Sequence, residues 1–98
     1  MIEIETKAQF DTLLSMEDIE FILLFYAPFA PPSLLLKEEL ENYDDKPIYS
    51  CNIVDFPEQA KIFNLAGVPM LIWLVNGNIN KWQVGYIPEG GTLNGLFE

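Results

Sequence analysis

The chain opens on the alternation Ile2-Glu3-Ile4, which predicts a short edge strand. Thr6 is placed to cap a helix over Ala8–Leu14, where Phe10, Leu13 and Leu14 recur at helical spacing on one face. Phe21 to Tyr26 then reads Phe-Ile-Leu-Leu-Phe-Tyr and is closed by Ala27-Pro28. Such a run is too short to cross a membrane and too uniformly apolar for a strand with one wet face. It predicts a central strand covered on both faces.

Pro31-Pro32-Ser33 predicts a helix start, since proline is tolerated in a first turn, and Ser33 fits a cap there. Leu34, Leu35, Leu36 and Leu40 are expected to form its buried stripe, with Glu38, Glu39, Glu41, Asp44 and Asp45 on the wet side. A strand of mixed character is expected from Pro47 to Ile53. A helix from Pro57 to Phe63 follows, with Ala60, Ile62 and Phe63 packing inward. Met70 to Val75 is a second buried strand, and Asn76-Gly77 is a strong hairpin signal. Asn80 to Val84 then pairs back antiparallel, and Pro88 to Glu98 ends the chain as a short helix. The order is β-α-β-α-β-α-β-β-α. It implies an α/β fold, a single domain over residues 1–98, with a central mixed sheet flanked by helices on both faces.

Composition narrows the function classes. The 98 residues carry 15 acids against 5 lysines and no arginine, a net charge of −10. A nucleic-acid binder needs a basic face, and an anionic membrane surface would repel this chain, so neither is an expected partner. No histidine is present, which removes histidine-based acid–base catalysis, Ser–His triads and histidine metal sites. Cys51 is the single cysteine, so no internal disulfide and no cysteine zinc site can form. Neither metal nor cofactor is expected. A lone cysteine and an acidic start point to a reducing, cytoplasmic setting.

At Leu24-Phe25-Tyr26-Ala27-Pro28-Phe29-Ala30-Pro31-Pro32-Ser33 the chain resembles the thioredoxin family, at that family's strand leading into its Trp-Cys-x-Pro-Cys turn. Gly67-Val68-Pro69 is similar to the family's Gly-Ile-Pro, which implies a cis bond before Pro69. Asn76-Gly77 and Gly85 stand where the family has its hairpin turn and a later glycine. The resemblance implies the thioredoxin-like fold and a surface on which a partner's extended peptide lies against the proline edge. Phe29, Pro31, Pro32, Val68 and Pro69 are the partner-binding residues it implies.

The departures matter as much. The family's nucleophilic and resolving cysteines fall on Ala30 and Ser33, so disulfide chemistry is closed to this chain as written. The family's buried carboxylate falls on Leu24, and its lysine partner at or near Ser50. Ser33 sits one turn before Lys37, but Glu38 and Glu41 favour a charged lysine, which argues against a Ser–Lys nucleophile. Cys51, in a strand, is expected to be a buried, inert thiol. The resemblance therefore carries two readings. One is a thiol–disulfide oxidoreductase serving cell redox homeostasis whose two motif cysteines have been replaced by design. The other is a natural redox-dead binding module that docks peptides at the proline groove. A protein substrate or reductase is the expected partner, and a monomer the expected state; a structural scaffold dimerising through Phe29 is the remaining class.

Overall fold

The computed structural model describes residues 1–97, and Glu98 lies outside them. Nine elements follow one another: β1 (Ile2–Glu3), α1 (Lys7–Ser15), β2 (Glu20–Tyr26), α2 (Pro31–Leu40), β3 (Ile48–Asn52), α3 (Pro57–Ile62), β4 (Met70–Val75), β5 (Asn78–Val84) and α4 (Gly91–Phe97). They form one five-stranded sheet in the order β1-β3-β2-β4-β5. β1 and β2 each run parallel to β3, while β4 is antiparallel to both β2 and β5. This is the mixed sheet that the element order implies.

The apolar run of β2 is explained by its position at the centre. Phe21, Leu23 and Phe25 join Phe10 and Leu13 of α1 in one core, with Phe63 packed against it. Ile22, Leu24 and Tyr26, on the opposite face, join Leu36 and Leu40 of α2 and Leu96 of α4. Successive strand residues point to opposite sides, so a strand with helices over both faces must be apolar throughout. Each fully buried side chain of this kind contributes roughly 1.5–3 kcal/mol of transfer free energy.

Local signals account for the ends. Thr6 Oγ1 accepts the Gln9 N–H at 3.1 Å while Gln9 Oε1 accepts the Thr6 N–H at 2.9 Å, a reciprocal cap that starts α1. Asn76 (φ 53°) and Gly77 (φ 80°) both take the left-handed conformation that a tight two-residue hairpin demands.

Several expectations are corrected. In α2 the buried positions are Ser33, Leu36 and Leu40, spaced three and four apart, whereas Leu34 and Leu35 are exposed. At about 100° per residue, two neighbours of Leu36 cannot share its face. In α3 Ala60 and Phe63 turn partly inward, but Ile62 is exposed and Gln59 is buried. β5 begins at Asn78 and carries an irregularity opposite Trp73/Leu74. α4 starts at Gly91, not Pro88, because Glu89 (φ 58°) and Gly90 (φ 80°) are left-handed and hold that stretch as a turn. Glu98, the expected last residue of that helix, falls outside the described residues.

Candidate functional site

Four chain segments meet at one end of the sheet. Phe25 faces Met70 across β2 and β4, so the residues after β2 and those before β4 emerge side by side. The Ile53 N–H donates to the Tyr26 carbonyl at 3.0 Å, bringing in the end of β3. The Gly85 N–H donates to the Pro69 carbonyl at 2.7 Å, bringing in the end of β5.

The motif turn occupies this end. Ala27 is buried, Pro28 and Phe29 form the turn, and Ala30 takes the N-cap position of α2 in extended backbone (φ −101°, ψ 114°). Ala30 offers no side-chain cap; Pro31 and Pro32 occupy the first two helical positions, where no N–H needs one. Ser33 is therefore not a cap. Its side chain is buried, and its Oγ accepts the Ala27 N–H at 3.2 Å, tying the helix start back to the end of β2.

Phe29 is 75 % exposed, and Pro31 and Pro32 are exposed beside it. Val68 is half-buried and the Val68–Pro69 peptide bond is cis. Pro69 is buried, contrary to its expected place on an exposed surface: it leads directly into the central strand β4, and its carbonyl is taken by Gly85. Among the described residues no hydrogen bond within the chain engages the Val68 N–H or C=O. Beside Val68 lies an open hollow of about 460 Å³ lined by Ile53, Ala60, Lys61, Leu65 and Gly67.

No reactive thiol accompanies this surface. Cys51 is fully buried in β3, and burial first, then the charges of Glu3 and Asp55, pushes its thiol up from 9.0 to about 12. Leu24 and Ser50 face each other across β2 and β3. Leu24 is core, and Ser50 is buried.

The charges lie one layer away from the motif, in a cluster that the sequence reading missed. Glu3 Oε1 accepts hydrogen bonds from Ser50 Oγ (2.8 Å) and Lys37 Nζ (3.0 Å), and Glu3 Oε2 accepts from the Tyr26 hydroxyl (2.8 Å). Lys37 Nζ also donates to the Tyr26 oxygen at 3.2 Å and sits 4.2 Å from its ring centroid. Burial alone would lower Lys37, but its bonds to Tyr26 and Glu3 and the Glu3 charge outweigh it and raise the lysine. A lysine so held is no base for Ser33. The signal in the chain was slight: Glu3 alternates with Ile2 and Ile4, which puts a carboxylate in a strand without naming its partners.

Among the described residues no group of three or more histidine, cysteine, aspartate or glutamate side chains is placed to hold a metal. No described helix is long and apolar enough to cross a membrane.

No family model matches the sequence. Among the solved structures similar to it are several thioredoxins. A thioredoxin of Malassezia sympodialis superposes with a TM-score of 0.78 at 18% identity, over 96% of this chain and 87% of that one. Mitochondrial thioredoxin 3 of Saccharomyces cerevisiae gives a TM-score of 0.76 at 19% identity, over 99% of this chain and 93% of that one. A thioredoxin of Schistosoma mansoni gives 0.71 at 24% identity, over 88% and 86%. With the sheet order, the two-faced core and the motif turn at the start of α2, these superpositions identify the chain as a thioredoxin fold.

Proposed function

We propose that this protein is a redox-inactive member of the thiol–disulfide oxidoreductase family that binds extended segments of partner proteins at the motif surface, in the cytoplasm. One observation carries the reading: Phe29 is 75 % exposed on a surface that offers no thiol. A ring of that size left in water at a turn has an energetic reason to meet a partner. The unpartnered Val68 N–H and C=O supply main-chain pairing for an extended peptide, and the hollow beside Val68 accepts an apolar side chain. Contacts of this extent are smaller than a standard interface of roughly 1,200 Å², so binding is weak and exchange fast.

The test is calorimetric titration with the carboxymethylated B chain of insulin, an extended peptide that has no free thiol. The unsubstituted chain binds it, and Phe29→Ala weakens binding about tenfold or more while the melting temperature stays within a degree or two. Equal affinity in both proteins, or a large fall in melting temperature, makes Phe29 a packing residue and removes the reading.

A second reading is favoured by Ser33. Its Oγ fills a buried site and accepts the Ala27 N–H, as a sulfur in that position could. On this reading the chain is a dithiol oxidoreductase whose motif cysteines have been replaced at Ala30 and Ser33. Leu24 and Ser50 speak for the first reading, since removing a dithiol gives no reason to alter either.

A further inference from the structure

The outer face of α2 is apolar where the helix leaves the motif turn and polar further on. Ser33, Leu36 and Leu40 lie against the sheet, so about 100° per residue turns Pro31, Leu35, Glu38 and Asn42 away from it. All four are exposed, Leu35 by half. Leu35, Glu38, Glu39 and Asn42 line an open hollow of about 440 Å³ together with Tyr86. Tyr86 follows Gly85, whose N–H donates to the Pro69 carbonyl, and Leu35 stands one turn beyond Pro31. The hollow therefore opens on the flank of the motif surface.

Its carboxylates are not neutralised from within the chain. The Gly90 N–H donates to Glu39 Oε1, which holds that side chain against the turn before α4, while Glu39 Oε2 takes no hydrogen bond among the described residues. Among those residues no ion pair engages Glu38, Glu39 or Glu89, and Lys37, the lysine of α2, is held by Glu3 of β1. The Tyr86 hydroxyl registers the field: burial first, then the charges of Glu39, Glu38 and Glu89, raise it above its usual 10.0. An exposed leucine, an aromatic ring and two free carboxylates in one hollow fit a long side chain with a hydrocarbon stem and a cation at its tip. The net charge of −10 draws such a partner in and repels an acidic one, a second copy of this chain included.

We propose that the segments bound at the motif surface are basic, and that a lysine or arginine of the partner reaches into the hollow between α2 and Tyr86. Its stem lies on Leu35 and the Tyr86 ring, and its cation meets Glu38 and Glu39. This rests on the peptide-binding reading above and adds to it the chemical class of the partner. Carboxylates at the rim of a site set register and selectivity more than strength, and salt weakens what they contribute.

Calorimetric titration of the full chain with a short synthetic peptide tests this. The peptide has an apolar centre and a lysine on each side of it, and its counterpart carries acetyl-lysine, which keeps the length and loses the charge. In about 0.1 M salt the lysine peptide binds about tenfold more tightly, and in about 1 M salt the difference shrinks. Glu38→Gln/Glu39→Gln removes the difference by weakening the lysine peptide alone, since glutamine still accepts the Gly90 N–H. Glu38→Gln by itself, at an exposed position, acts in the same direction. Glu5→Gln/Glu17→Gln takes the same charge from the two ends of α1 and leaves the difference in place. Leu35→Ala weakens both peptides, whereas Leu34→Ala, exposed on the same helix but outside the hollow, weakens neither. Equal affinity for the two peptides, both still weakened by Phe29→Ala, overturns the basic partner and leaves peptide binding at the motif standing. A preference for lysine that survives Glu38→Gln/Glu39→Gln puts the cation elsewhere and overturns the hollow. Binding of neither peptide removes the peptide-binding reading and this one together. Self-association in sedimentation that Leu35→Ala abolishes makes a second copy the occupant, and overturns the proposal as well.

Discussion

Glu3 in the two-residue strand β1 and Lys37 in α2, 34 positions apart in sequence, are joined by an ion pair of 3.0 Å. The same carboxylate takes the hydroxyls of Ser50 and Tyr26, so one side chain fastens β1, β2, β3 and α2. Ser50 is buried, and removing its acceptor leaves a hydroxyl out of reach of water. Glu3→Ala is expected to cost about 1–3 kcal/mol in urea unfolding at neutral pH. Lys7→Ala breaks only the exposed Lys7–Asp11 pair and should stay within about 0.5 kcal/mol. Equal costs for the two variants would show that the Glu3 cluster does not fasten the sheet.

The buried thiol gives an alkaline signature. The folded state raises Cys51 from 9.0 to about 12, so it holds that proton more tightly than the unfolded chain does. The resulting stability is fully present below pH 9.0 and is lost as pH climbs towards 12. Tyr26, raised by burial and then by its bond to Glu3, slopes in the same direction above 10.0. The urea midpoint of the unsubstituted chain should therefore fall from pH 9 to pH 12, and that of Cys51→Ala should fall less steeply. At pH 8 Cys51 should react with a thiol reagent no faster than the chain unfolds; rapid labelling of the native protein would contradict its burial.

Neighbouring leucines in α2 separate core from surface. Leu36 is buried against Leu24 and Leu71, and Leu36→Ala should cost about 2–5 kcal/mol. Leu35, half exposed, should cost less than about 1 kcal/mol when replaced by alanine. Similar costs, read from urea midpoints, would place α2 in a different rotation on the sheet.

That pair also shows how far the sequence could be read. The two central strands were legible because burial on both faces forces every position to be apolar, as in Phe21–Tyr26. The hairpin was legible because Asn76-Gly77 alone supplies two left-handed residues cheaply. The rotation of α2 was not, since four leucines among ten residues fit more than one stripe, and only the sheet chooses among them. The same holds for the site. Ala30 and Ser33 were found by their place on either side of Pro31-Pro32, just after Tyr26-Ala27-Pro28, whereas the burial of Pro69 goes with its carbonyl bond to Gly85, which no local pattern announces. The Glu3 cluster draws on four separate elements, and its members come together only when the sheet order is known.

Restoring a dithiol tests the chemistry of the turn itself. Ala30 stands at the N-cap of a ten-residue helix, partly exposed, and Ser33 lies three residues on with its Oγ in a buried site. A thiolate at position 30 would sit at the positive end of the α2 dipole, which favours negative charge. In Ala30→Cys/Ser33→Cys the first thiol should therefore titrate below the ordinary value of about 8.5, and the pair should oxidise and reduce reversibly. Nothing assists the second thiol. Leu24 puts a hydrocarbon where a proton-accepting carboxylate would serve, and Cys51 is sealed off in β3. Attack on a disulfide by the first thiol should proceed readily while release of the mixed disulfide is slow. Stopped-flow reaction with a chromogenic disulfide, followed by mass spectrometry of the trapped adduct, separates the two steps. A fast second step would mean that another group takes the proton that Leu24 cannot, with the Glu3–Tyr26–Lys37 cluster as the place to look. A double variant that cannot oxidise at all would leave peptide binding as the sole role of the turn.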